Sequence, residues 1–248
     1  MRAGRELESV AGATSLSFII LFQGRSGSSW LVDALSSHPA ILVKGEALIA
    51  LRSMGDDQVV WAREFLWQLR SLDSIAIGFK AKLSDISAPE AFASMLRSLD
   101  CRVIHLKRQN LVKQTISWIR SDLLFRDFGR HNREAGDPPL PAIQVDIPDF
   151  LARIQQLERG QRKLEDYVMS LRQPTVRLNY EAILSHPERE FSRVLAFLGL
   201  PINSLEWTIE KNTDDDLAHA VLNFQQLHEA LSCTQWFEMF DALRPSLQ

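Results

Sequence analysis

The chain has 248 residues, the length of one large domain, and its 46% hydrophobic and 24% charged residues are those of an ordinary globular protein. A formal net charge of −3 argues against a general nucleic-acid binder, and no apolar run approaches the roughly 20 residues of a membrane-spanning helix. The two cysteines, Cys101 and Cys233, lie far apart and lack metal-ligand spacing, which points to a reducing, cytoplasmic setting with Cys101 as a buried thiol.

Residues 1–15 carry charges of both signs and read as a leader segment without the apolar core of a signal peptide. Leu16 to Phe22 is a continuous β-prone run ending in Gln23-Gly24, the pattern of a strand buried on both faces. Trp30, Leu31, Ala34 and Leu35 then repeat at helical spacing until His38-Pro39. Val59 to Leu69 is helical in pattern and Ile75 to Phe79 is a short strand. Ser87 is placed to cap a helix that buries Phe92, Met95, Leu96 and Leu99. Arg102 to Leu106 is the next strand, and a helix follows over Leu111 to Arg120.

From Phe125 to Pro148 the chain has no period and four prolines, and it reads as a long surface excursion suited to a substrate loop. Leu151, Ile154, Leu157, Leu164, Val168 and Leu171 mark a long helix, interrupted in propensity at Gly160. Thr175 to Leu178 is a strand, and Phe191, Val194, Leu195 and Leu198 mark a helix stopped by Gly199 and Pro201. Strands alternating with helices predict a single α/β domain over 1–248, in three layers: a central parallel sheet with helices on both faces.

The chemistry concentrates in Gly24-Arg25-Ser26-Gly27-Ser28-Ser29-Trp30, between the first strand and the first helix. Free N–H groups and the positive dipole end of a helix attract an anion there. Gly24 and Gly27 allow a tight turn, Ser28 and Ser29 offer hydroxyl donors, and Arg25 offers a planar fork for phosphate or sulfate oxygens. A nucleotide triphosphatase loop would carry lysine where Gly27 stands, and no G-x-G-x-x-G dinucleotide loop is present. Taken alone, the segment is also satisfied by a serine-capped helix after a glycine turn.

Arg25-Ser26-Gly27-Ser28-Ser29-Trp30-Leu31 resembles, at every position, the loop with which sulfotransferases bind the 5′-phosphate of 3′-phosphoadenosine 5′-phosphosulfate (PAPS). The resemblance is to the bacterial carbohydrate and nodulation-type members, with donor-site motifs also similar to those of protein-tyrosine sulfotransferases. It implies a P-loop-like fold and transfer of a sulfuryl group from PAPS to an acceptor hydroxyl, on a carbohydrate or small metabolite, with release of adenosine 3′,5′-bisphosphate (PAP) and no metal. The loop residues Arg25, Ser26, Gly27, Ser28, Ser29 and Trp30 would bind the donor, Arg25 standing near the departing sulfuryl group. A P-loop kinase or nucleotide hydrolase, and a catalytically silent nucleotide-binding protein on the same scaffold, are the rival readings.

The same resemblance implies a 3′-phosphate site at Arg108 and Ser117, nine residues apart where the family's usual spacing is eight, so Lys107 and Gln109 compete with Arg108 for the register. Glu46, in His38-Pro39-Ala40-Ile41-Leu42-Val43-Lys44-Gly45-Glu46, takes the place of the catalytic base, and apolar Ala47 and Leu48 beside it predict a raised pKa. His38, His105 and His131 are the histidine rivals, each read as structural. Tyr180 is either an adenine-side contact or a buried tyrosine with a satisfied hydroxyl. Lys211 is a further 3′-phosphate candidate, although the aspartates after it equally suit a helix cap. Lys80 and Lys82 follow a strand toward the ligand end of the sheet, without assignment to donor or acceptor.

Overall fold

In the computed structural model of the chain, the structure describes residues 16–68, 76–131, 133, 137, 140–209 and 216–241. The elements run β1 (Leu16–Phe22), α1 (Ser28–Ser36), β2 (Ile41–Lys44), α2 (Leu48–Met54), α3 (Gln58–Gln68), β3 (Ala76–Lys82), α4 (Pro89–Ser98), β4 (Arg102–Lys107), α5 (Leu111–Phe128), α6 (Ile147–Leu171), β5 (Thr175–Asn179), α7 (Tyr180–Ser185), α8 (Pro187–Phe197), α9 (Leu217–Ala220), α10 (Phe224–Leu231) and α11 (Glu238–Asp241). A 3-10 turn, Leu83–Asp85, follows β3.

The sheet order is β2-β3-β1-β4-β5, with every pairing parallel. The most apolar strand, β1, lies in the middle, where alternate residues are covered by different layers. Ile19 and Leu21 join Ile77, Phe79 and Val103 beneath α2, α3, α4 and the second half of α6. Phe18, Ile20 and Phe22 join Ile104, Leu106, Val176 and Leu178 beneath α1, α7 and α8. A third core lies between α5, the first half of α6, α9 and α10, around Ile116, Phe150, Ile154 and Leu227. The three-layer α/β expectation is met. Cys101 and Cys233 are both free thiols, and Cys101 is buried. No helix among the described residues is long and apolar enough to cross a membrane.

Several borders move. The residue at the N-cap of α4 is Ala88, without a side-chain cap, while Ser87 donates its N–H to Gln58 Oε1 at 2.8 Å; Ser87 is therefore not the cap. Helix α5 continues eight residues past Arg120 to Phe128 and ends at Gly129 in the left-handed region. Helix α6 begins at Ile147, where Asp146 accepts from the Asp149 N–H at 2.8 Å. The excursion thus shrinks to 129–146, tied at Ile143 to Val221 by a parallel bridge. Sequence periodicity also passes over β2, α2 and α7, each of only four to seven residues. Strand β2 is the consequential one, because it delivers Glu46 to the site.

Candidate active site

Strands β1 and β4 are neighbours whose following segments, Gln23–Gly27 and Arg108–Asn110, open a crevice at the carboxyl ends of the sheet, the place where doubly wound sheets bind ligands. A cavity of about 980 Å³ occupies it. Arg25, Gly27, Ser28, Ser29, Trp30, Glu46, Arg108, Ser117 and Tyr180 all line it. Residues predicted from segments as far apart as Arg25 and Tyr180 are therefore brought to one place. Lys211 lies outside the described residues.

The loop after β1 turns through two left-handed residues, Arg25 with φ 65° and Gly27 with φ 86°. Gly27 is the N-cap of α1 and no side chain caps that end, so the helix presents its N-terminal amides to the cavity. A methyl group built on Gly27 would run into the Tyr180 ring, 2.6 Å from Cε2. Tyr180 also lies 4.6 Å beneath the Arg108 guanidinium and edge-on to Trp30. Its ring is thus the floor on which the loop and Arg108 rest. Ser26 is fully buried, and its hydroxyl has no hydrogen-bond partner among the described residues.

Arg25 donates from Nε to Ser117 Oγ at 3.2 Å, while Arg108 donates from Nη1 to the Arg25 carbonyl at 3.0 Å. Burial first, and the neighbouring Arg108 second, lower the Arg25 pKa to about 10, which still leaves it charged at neutral pH. The three candidates for the register are placed differently. Lys107 pairs with Glu165 at 3.5 Å, and the Gln109 N–H is held by Glu181, whereas Arg108 lines the cavity.

Alternation along β3 places Lys80 and Lys82 on the α1 side of the sheet, with Lys80 opposite Ile20 and Lys82 opposite Phe22. Lys80 Nζ donates to Ser29 Oγ at 2.9 Å and Ser28 Oγ at 3.3 Å, and it lies 3.3 Å from Glu46 Oε1. Lys82 Nζ is 2.8 Å from Glu46 Oε2 and 3.6 Å from Asp85. Glu46 reaches both because β2 pairs with β3, setting Lys44 against Phe79.

This overturns the expected rise in the Glu46 pKa. Burial does push the carboxyl up, but the hydrogen bond from Lys82 and the charges of Lys80 and Lys82 outweigh it and hold the group below its ordinary value. Leu48 turns instead into the core. Burial also lowers the Lys80 pKa, with Glu46 opposing the shift.

Three polar side chains to which the sequence assigned no role hold the loops in place. Gln114 Nε2 donates to the Gly24 carbonyl at 2.7 Å, and Gln161 Nε2 donates to the Arg108 carbonyl at 2.7 Å. Glu181 accepts from the Gln109 and Asn110 N–H groups, each at 3.0 Å. Of the histidines, His38 closes a turn by accepting from the Ala40 N–H at 3.1 Å, and His105 is buried in β4, where desolvation lowers its pKa. His131 does reach the cavity, stacked on Phe125, with its carbonyl accepting from Arg25 at 3.3 Å. Asp216 caps α9 by accepting from the Ala218 N–H, as the acidic run after Lys211 allowed.

No protein-family model matches the chain. Over 254 residues it is 24% identical to Nodulation protein H of Rhizobium tropici, an alignment that covers 92% of this chain and 95% of the relative. Its fold is similar to that of a sulfotransferase from Alicyclobacillus acidocaldarius, with a TM-score of 0.53 and 16% identity over 91% of this chain and 95% of that one. A mouse sulfotransferase in complex with PAP gives a TM-score of 0.50 and 12% identity over 92% and 89% of the two chains. The common fold and the full-length likeness bear out the resemblance to the sulfotransferases.

Proposed function

We propose that the chain is a sulfotransferase enzyme that takes its sulfuryl group from PAPS and delivers it to an acceptor hydroxyl on a carbohydrate or small metabolite. The observation that carries this reading is the position of Lys80. One ammonium group spans the hydroxyls of the anion-binding loop and the carboxylate that would accept the acceptor's proton.

The residues present fit such a donor. The uncapped α1 N-terminus, the Ser28 and Ser29 hydroxyls and the guanidinium groups of Arg25 and Arg108, all on the cavity wall, supply donors and charge for two phosphates. Trp30 and Trp207, edge-on at 5.7 Å and both on the cavity wall, supply aromatic surface for a purine.

In the step itself the acceptor oxygen bonds to sulfur as the sulfur–oxygen bond to the 5′-phosphate breaks, and the electron pair leaves on that phosphate. Glu46 takes the hydroxyl proton. Lys80 and Arg25 stabilise the charge arriving on the departing oxygen, so catalysis rests on positioning and electrostatics.

Calorimetric titration with PAP, beside ATP and magnesium, tests the donor. Micromolar PAP binding that weakens in Arg25→Ala supports the reading. ATP binding without PAP binding by a folded sample overturns it in favour of a kinase or nucleotide hydrolase.

A further inference from the structure

Among the cations of the cavity wall, Arg159 and Lys163 take no part in donor binding or proton transfer as read above. Helix α6 turns Gln156, Arg159, Gly160, Lys163 and Leu164 to the cavity, a single stripe at spacings of three and four. The stripe is held against the phosphate loop at Gly160, where a side chain would collide with Gln23, the residue that follows β1. Arg159 and Lys163 leave the helix one residue before and three after that contact.

Three other basic side chains of this region are neutralised. Arg153 is paired with Asp122 at 2.5 Å and Asp149 at 2.7 Å, and Arg162 with Glu158 at 3.0 Å. Across the cavity the Lys82 ammonium is taken by Glu46 and Asp85. Arg159 and Lys163 make no ion pair or hydrogen bond among the described residues. Two uncompensated cations one helical turn apart on the cavity wall raise the local concentration of an anion and fix its position.

Resting on the sulfotransferase reading, we propose that the acceptor is itself anionic: it carries a carboxylate or phosphate that Arg159 and Lys163 bind, in addition to the hydroxyl that Glu46 deprotonates. Trp118, on the facing helix α5 and also on the cavity wall, offers a flat apolar surface for the ring that joins the two groups.

The test uses PAP-loaded full-length protein and three matched probes: 4-nitrophenyl β-glucoside, its 6-phosphate, and 4-nitrophenyl β-glucuronide. At least one anionic probe is expected to bind tenfold or more tightly than the neutral glucoside. Both positions are solvent-exposed and glutamine keeps helix propensity, so Arg159→Gln/Lys163→Gln retains the fold. That variant is expected to lose the preference while its PAP affinity stays within twofold. Equal or no binding of the three probes by the unaltered protein overturns the proposal. So does a variant that loses PAP affinity tenfold, because the two cations then serve the donor. Absence of PAP binding to the unaltered protein instead sinks the donor reading on which the proposal stands.

Discussion

Gly27 lies against the Cδ2–Cε2 edge of the Tyr180 ring so closely that no β-carbon fits between them. This contact couples the anion loop to the segment after β5, and through the ring to Arg108. Gly27→Ala therefore carries two penalties, a left-handed φ worth about 1–2 kcal/mol and a displaced ring. We expect lowered thermal stability and PAP affinity reduced about tenfold or more. Gly27→Ala/Tyr180→Ala removes the collision but keeps the strain, so partial recovery of stability relative to Gly27→Ala is expected by thermal melting. No recovery would mean that the backbone conformation, and not the ring, sets the requirement.

Glu46 is held by two lysines below the ordinary carboxylate pKa, which predicts a specific pH dependence. A carboxyl whose folded pKa is depressed contributes stability that is fully present above its unfolded value and is lost as pH falls through the folded one. The acid limb of kcat/KM should accordingly lie below pH 4.5, the ordinary value for this group. Lys80→Met removes one of the two charges, and the limb should move upward. The same variant should lower kcat by about a hundredfold or more, the scale of losing one preorganised charge donor. A limb near neutrality in the unaltered enzyme would indicate that a group other than Glu46, such as His131, takes the proton.

The Arg108 guanidinium donates to the backbone carbonyl of Arg25 and lies over the Tyr180 ring. Arg108→Ala should weaken PAP binding about ten- to a hundredfold, in line with about 1.5–3 kcal/mol for a charge-assisted hydrogen bond. Arg25→Lys keeps the charge but loses the Nε donor to Ser117, so it should be impaired nearly as much. Isothermal titration with PAP at two salt concentrations separates lost charge from lost geometry: only the first flattens the salt dependence.

The anion loop was legible because it is local: a buried strand, a glycine turn and a helix start occupy sixteen consecutive residues, and each signals itself without reference to the rest. Arg108 and Ser117 were legible as residues but not as partners, because Ser117 bonds to Arg25 across 92 positions. Lys80 and Lys82 stood at a recognisable strand end, yet their task depends on the β2–β3 pairing that brings Glu46 beside them. Strand β2 itself is four residues long, lies at the sheet edge and is half-exposed, too short for a period to emerge. Gln114 and Gln161 left no trace in the sequence, since they act on backbone atoms 90 and 53 positions away and a polar residue on a helix usually faces water.

Gly160 separates stability from function most cleanly. In mid-helix a glycine costs about 1 kcal/mol relative to alanine, so Gly160→Ala gains that much in helix propensity. The new β-carbon meets the amide end of Gln23, the flexible tip of a side chain that can swing aside at small cost. The melting temperature is therefore expected to hold or rise. The displaced Gln23 amide lies where the phosphate loop begins, so its new position disturbs the contact between α6 and the loop. Catalysis tolerates such displacements poorly, so kcat/KM should fall even though the protein is no less stable. Gly160→Leu presses the helix further from the loop and should lose both. Equal activity of Gly160→Ala and the unaltered enzyme would show that the α6–loop spacing is not part of the catalytic geometry.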